Sequence, residues 1–349
     1  MFLAAIDNFP LTDRLVESLK KSLNKHSRLD CAATSRQNAC ASAPNGADFL
    51  YDDSGMFPRK RFRLSLRSRA LILGERTLVM GVLNVTPDSF SDGGAYLDSE
   101  AAIAHALQLE RDGADILDIG GESTRPGAAA ISSEEELRRI LPVIQVLRGK
   151  LRIPMSVDTQ RAEVAEAALG AGAEILNDVS GLRTDPRLAE VARRAHAPLI
   201  LMHMRGRPRS MQQGPFARDV IRDVMAGLRD AVARAKRARF PQSQLLVDPG
   251  IGFGKKHEQN FEIIARLPEF ARLGCPMVIG TSRKAFLGSA LAPPGGPSVP
   301  PGERLLGTAA TVTASILGGA HIVRVHDVAE MAGVVRVADR IAAARDARK

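Results

Sequence analysis

The sequence predicts an α/β protein built as a closed (β/α)8 TIM barrel, preceded by a short N-terminal hairpin and a poorly ordered N-terminal extension. Three observations predict it. Short apolar runs alternate with helical patterns eight times within about 270 residues. Runs such as Leu78–Leu83 are apolar without alternation, as in parallel strands covered on both faces. The chain then turns polar where the runs end, which is how a barrel presents side chains to a substrate. An open doubly wound sheet would need a switch point and usually has fewer units.

Residues 1–55 read apart from the rest. Leu11, Leu15, Val16, Leu19 and Leu23 line one face of a short basic amphipathic helix. Residues 31–53 are rich in Ala, Ser, Asn and Asp, with little to bury. We read this stretch as a dispensable extension, with the barrel domain spanning 56–349. From Phe57 the texture changes. Residues 59–66 alternate basic and apolar, and 71–76 suggest a tight turn, giving a hairpin that caps one end of the barrel. Its Lys and Arg residues suit a solvated edge strand better than a nucleic-acid strand.

The units then follow in order. Strand 78–85 leads to a helix from about 98 to 112. Strand 116–120 leads to a helix opened by Ser132 and Glu135 at capping-box spacing, with Leu137, Ile140, Leu141 and Ile144 on one face. Next come strand 155–158 and helix 162–169, then strand 174–179 and helix 186–195. Strand 199–203 precedes a long helix, about 217–239. Strand 245–248 and helix 260–267 follow, then strand 277–280. Residues 292–302, rich in Pro and Gly, form a loop before helix 304–317. Strand 321–325 and helix 328–344 close the series. Gly-Ala precedes three strands, at 113, 172 and 319, where a glycine ends a helix before the chain re-enters the sheet.

Composition narrows the function. The formal charge is +9, and +5 of it lies in the first 70 residues. The remaining +4 suits an anionic small substrate as well as a phosphate backbone. No Trp is present and only two Tyr, so base stacking is no theme, and no recognition helix stands out. We expect no nucleic-acid partner. Cys31, Cys40 and Cys275 make no metal spacing, and their odd, sparse count fits a reducing compartment. No apolar run reaches transmembrane length and no signal peptide is evident, so the expectation is a cytoplasmic protein off the membrane.

Barrel active sites lie at the carboxyl ends of the strands. In strand order those ends carry Asn84; Glu122 to Arg125; Asp158; Asn177 and Asp178; His203 between Met202 and Met204; Asp248 and the glycines through Gly254; Thr281 to Lys284; and Arg324, His326 and Asp327. Arg125, Arg283, Arg324 and His326 suit phosphate or pyrophosphate. Asp158, Asn177, Asp248 and Lys284 suit the hydrogen-bonding edge of a flat heterocycle, with Phe253 and the methionines for its faces. The run 250–255 is neither a dinucleotide fingerprint, which needs Gly at 255, nor a Walker loop, which needs Gly at 249. Its glycines give a tight turn with close backbone approach.

From about residue 56 the chain resembles the dihydropteroate synthase family. The run from Asn84 to Gly94 (NVTPDSFSDGG) matches that family's first signature, and Asp118 to Gly127 (DIGGESTRPG) the second. SVDT at 156, NDVSG at 177, DPGIGFGK at 248, SRK at 282 and RVHDV at 324 match the rest in order. Residues 1–55 lie outside the match.

The resemblance implies that the amine of 4-aminobenzoate displaces pyrophosphate from 6-hydroxymethyl-7,8-dihydropterin diphosphate, giving 7,8-dihydropteroate for folate. It implies that Asn84 ligates Mg2+ together with the diphosphate, and that Arg324 and His326 bind the diphosphate with Arg125 nearby. Asp158, Asn177, Asp248 and Lys284 hold the pterin beside Phe253. Thr124 and Ser282 lie near 4-aminobenzoate. Asp158, Lys284, Arg324 and His326 are the expected catalytic residues, and a homodimer is implied at the Ala/Thr-rich helix 304–317. Rival readings are a methyltetrahydrofolate-binding methyltransferase, which has no use for a diphosphate site, and a silent paralogue that binds without turnover.

Overall fold

The structure is a computed structural model that describes residues 59–86, 95–123, 131–206 and 211–346. The expected extension over 1–55, and Thr124 and Arg125, lie outside them. An antiparallel hairpin comes first, β1 (Phe62–Ser65) and β2 (Ala70–Leu73), paired from Phe62↔Leu73 to Ser65↔Ala70. The reversal is not at 71–76, where the sequence suggested it. It falls between Leu66 and Arg69, closed by Leu66 N donating to Arg69 O at 2.7 Å. Leu73 is strand because it can be buried with Leu64 and Leu66. Gly74, at φ +96°, makes the later bend, where a Cβ would stand 2.5 Å from the Lys60 carbonyl.

The hairpin's basic residues fasten it to the barrel. The Arg59 guanidinium reaches Asp339 at 2.7 Å and the Ala320 carbonyl at 2.9 Å. Arg67 donates to the Leu169 and Ala173 carbonyls, and Ser68 Oγ to Glu174 at 2.8 Å.

Eight parallel strands follow: β3 (Leu78–Asn84), β4 (Ile116–Gly120), β5 (Met155–Asp158), β6 (Ile175–Asp178), β7 (Leu199–Met202), β8 (Leu245–Asp248), β9 (Val278–Ile279) and β10 (Ile322–Val325). They pair in the order β8-β7-β6-β5-β4-β3-β10-β9. A bridge between Val247 and Met277, with Val247 N donating to Pro276 O at 3.0 Å, joins the two ends and closes the barrel. The helices are α1 (Ala95–Arg111), α2 (Ser133–Leu147), α3 (Ala162–Ala171), α4 (Leu188–Arg194), α5 (Val220–Arg237), α6 (His257–Ala265), α7 (Ala285–Leu291), α8 (Leu305–Leu317) and α9 (Val328–Asp346). The sequence did not reveal α7, whose seven residues are too few for an apolar period. Gly113, Gly172 and Gly319 all have positive φ, as expected before a strand.

Helix α2 shows how local chemistry sets an element. Ser132 caps it by accepting from Glu135 N at 3.2 Å. The Glu135 carboxylate turns to Arg138 and Arg139 instead of closing a capping box. The buried stripe is Ile140, Val143, Ile144 and Leu147, with Leu137 and Leu141 at its edge. No helix of the described residues is long and apolar enough to cross a membrane.

Inside the barrel the chemistry changes with height. Leu78, Met80, Ile116, Ile175, Ile200, Leu246, Val278 and Ile322 pack with Leu64, Leu66 and Leu73 of the hairpin into an apolar plug. Side chains two residues apart share a strand face. Two residues beyond Ile116, Ile175, Ile200, Leu246 and Ile322 stand Asp118, Asn177, Met202, Asp248 and Arg324. On β4, β6, β8 and β10 one such step therefore turns a sealed floor into a polar layer.

Candidate active site

Arg324 is the hub of that layer. Its Nε donates to Asp118 Oδ2 at 2.6 Å, and its Nη2 to Asp158 Oδ2 at 3.1 Å. Asn177 Nδ2 donates to the same Asp118 oxygen at 3.0 Å. Asp118 is fully buried, and its Oδ1 has no hydrogen-bond partner among the described residues. The Ser156 hydroxyl, on the neighbouring strand and in register with Asp118, is likewise unpartnered among them. Burial pushes the Asp158 carboxyl up; Arg324 opposes the shift and Asp118 adds to it.

Asp248 ends β8, and its Oδ1 accepts from Gly250 N at 2.6 Å. Burial raises its pKa, and the Lys284 ammonium opposes that rise. Lys284 donates to the Ile251 carbonyl and lies 4.4 Å from the centre of the Phe253 ring. Burial brings it down to about 8, against the pull of Asp248. Close approach by this lysine and by the chain after β7 requires the glycines of the turn. A Cβ on Gly252, at φ +84°, would stand 2.9 Å from Lys284 Cδ, and one on Gly250 only 1.9 Å from the His203 carbonyl. Val179, Met202, Met204 and Met211 form an apolar cluster on which Phe253 packs.

At the end of β10 and the turn after β9, Ser282 Oγ accepts from His326 N at 3.2 Å and lies 3.0 Å from His326 Nδ1. Asn84, half-buried, ends β3 beside Gly120. Of the expected residues, Asp158, Asn177, Asp248, Lys284 and Arg324 thus meet in one polar layer, with Phe253 beside Lys284. Ser282 and His326 sit together at its edge.

Arg283, which the sequence suited to phosphate, instead forms an ion pair with Asp327. His203 does not join the site. Its Nδ1 faces Lys255 Nζ at 3.1 Å and its Nε2 faces Asp223 at 3.6 Å. Burial first, and then the Lys255 charge, hold it neutral, down to about 2.

Three supporting groups receive no role from the sequence. Asp118 lies within a matched motif but on a strand that reads as plain core. Lys255 Nζ is buried among the His203, Gly250 and Phe253 carbonyls, at 2.8–3.3 Å, and so fastens the glycine turn to β7. Arg161 bonds Glu122, Glu136 and the Ile131 carbonyl, while Glu122 accepts from Ile131 N. These contacts hold both described ends of the segment 124–130. A capping position, a lone lysine and an interior strand carboxylate look alike before folding.

Among the described residues no group of three or more His, Cys, Asp or Glu side chains could hold a metal ion. A magnesium ion does not need one. It takes few protein oxygens and keeps waters and substrate phosphate oxygens, so the Asn84 amide oxygen could serve as one such ligand.

The family model for pterin binding enzymes matches residues 80–326. The chain is 48% identical over 268 residues to a dihydropteroate synthase of Synechocystis, covering 77% of this chain and 91% of that protein. It superposes with TM-score 0.74 on the Xanthomonas albilineans dihydropteroate synthase with 4-aminobenzoic acid, at 42% identity over 81% of this chain and 98% of that one. The same enzyme in complex with 7,8-dihydropteroate gives TM-score 0.71 and 40% identity, covering 80% and 98%.

Proposed function

The chain belongs to the pterin-binding enzymes as a dihydropteroate synthase, and we propose that the polar layer above its apolar plug is where its pterin substrate lies. The enzyme is a transferase. It condenses 6-hydroxymethyl-7,8-dihydropterin diphosphate with 4-aminobenzoate, giving 7,8-dihydropteroate and pyrophosphate in folate biosynthesis.

The observation that carries the site is the convergence on Arg324. Asp118 and Asp158 fix its guanidinium, and Nη1 makes no hydrogen bond among the described residues. Asp158, Asn177 and Asp248 offer acceptors and a donor to the amino and ring N–H groups of the pterin. Lys284 donates to its carbonyl edge, and Phe253 covers a face. Arg324 and His326, with Arg125, receive the diphosphate. Thr124 and Ser282 lie by 4-aminobenzoate.

The aniline nitrogen attacks the pterin methylene, the carbon–oxygen bond to diphosphate breaks, and the nitrogen sheds one proton. An aniline needs no strong base, so the barrier lies in departure of the diphosphate. Cationic groups fixed in advance stabilise that departing charge without reorganising. Mg2+ held by Asn84 and the diphosphate would supply further charge neutralisation. We also assign a homodimer through α8, where Leu306 is 76% exposed, and a cytoplasmic location.

Pyrophosphate release from dihydropterin diphosphate and Mg2+, with and without 4-aminobenzoate, tests the reading. Release should depend on 4-aminobenzoate, and on Mg2+ when it is withheld. Lys284→Ala or Asp248→Ala should abolish turnover in a folded protein. Wild-type activity in either variant rejects the site. Pterin diphosphate binding without release would favour the silent paralogue.

A further inference from the structure

We infer that Arg304, the residue capping α8, with Thr308 and Thr311 on the helix, forms a buried polar stripe of positioning residues that hold the Ser282–Lys284 turn in a strained shape the reaction needs. The inference rests on Ser282 and Lys284 being substrate contacts. Between them stands Arg283, at φ +60°, in the left-handed region that a non-glycine residue rarely occupies. Such a residue persists only where its surroundings over-determine it. Here α8 does so on both sides of one residue. Thr308 Oγ1 accepts from Arg283 N at 3.3 Å, and Arg304 Nη1 donates to Arg283 O at 2.7 Å.

Two residues before Arg283, Thr311 Oγ1 meets Thr281 Oγ1 at 3.0 Å. Positions 304, 308 and 311 fall on one helix face. All three residues are buried, although an interior helix face would ordinarily be apolar.

The clamp is itself held. Arg304 Nε donates to the Val299 carbonyl at 2.7 Å, anchoring the loop before α8. Gly288 of α7 leaves the room: a Cβ there would lie 2.6 Å from Arg304 Nε. The stripe thus explains why a helix rich in Thr and Ala lies behind the turn. The Thr308 hydroxyl and the Arg304 guanidinium satisfy the backbone of a turn that no strand or helix ladder serves.

The strain gives a test that separates positioning from stability. Glycine adopts the left-handed region at little cost. In an Arg283→Gly background the clamp should therefore matter less. The measurement is kcat and KM for both substrates in Arg304→Met, Thr308→Val, Arg283→Gly and the two double variants, with Lys284→Ala as reference.

We expect Arg304→Met to raise KM for pterin diphosphate about tenfold, as release of a strained backbone position implies, and the same exchange in the glycine background to cost far less. Thr308→Val, nearly isosteric, should show the same pattern more weakly, and it decides the matter should Arg304→Met not fold. Equal cost in both backgrounds overturns the inference, as do wild-type constants in both single variants. Wild-type constants in Lys284→Ala overturn the site assignment itself. Loss there, with no effect at 304 or 308, removes only this inference.

Discussion

Arg324 Nε donates to Asp118 Oδ2 at 2.6 Å, across 206 residues of chain, and this bond sets the plane of the guanidinium at the heart of the barrel. The same oxygen takes the Asn177 amide, so one carboxylate orients two proposed substrate contacts. Asp118→Asn keeps the shape and removes the charge. It should lower kcat/KM for pterin diphosphate on the order of 10²-fold, as loss of a buried charged hydrogen bond does. Steady-state kinetics with a thermal melt as control check this, and an unchanged kcat/KM removes Asp118 from the site's support.

Lys284, brought down to about 8 by burial, sets an alkaline limit. In the proposed site its charge would draw the electron-rich edge of the pterin, and it is present only below that pKa. As pH rises through 8 the proton is lost, so kcat/KM for pterin diphosphate should fall with a limiting slope of one. A flat profile from pH 8 to 10 would contradict this.

Leu64 and Leu73, both fully buried, belong to the plug below the proposed substrate layer. Changing either to Ala should cost about 2–5 kcal/mol of stability through the cavity left behind. At temperatures where the protein stays folded, kcat and both KM values should remain those of the parent. Denaturant unfolding and kinetics on one preparation separate the two effects.

Glu136 is fully buried against Arg161. Arg161→Met should cost about 3–5 kcal/mol, because it leaves a buried charge unpaired. Glu136→Gln in the same chain should recover part of that loss by removing the charge. Chemical denaturation of the single and double variants tests this, and additive losses would disprove the pairing.

How much of this was legible follows from distance along the chain. Barrel strands announce themselves locally, so the apolar runs at 116–120 and 245–248 named their strands to the residue. The end of each strand gave Asp158, Asn177, Asp248 and Arg324 the same way. What failed needed a partner from elsewhere. His203 ends a strand as a site residue would, yet Lys255, fifty-two positions on, takes its ring. The hairpin turn went astray because Gly74 bends the chain for an approach to Lys60, not for a strand reversal. Asp118 received no role because nothing near it in sequence hints at Arg324.

The hairpin's stopper closes one end of the described barrel. Were a pterin seated on the polar layer above it, as proposed, it would lie deepest, so it would come in first and the aromatic amine last. Dihydropteroate would then have to back out before the next pterin could enter. The proposed site is a cul-de-sac, and its traffic would run as a queue.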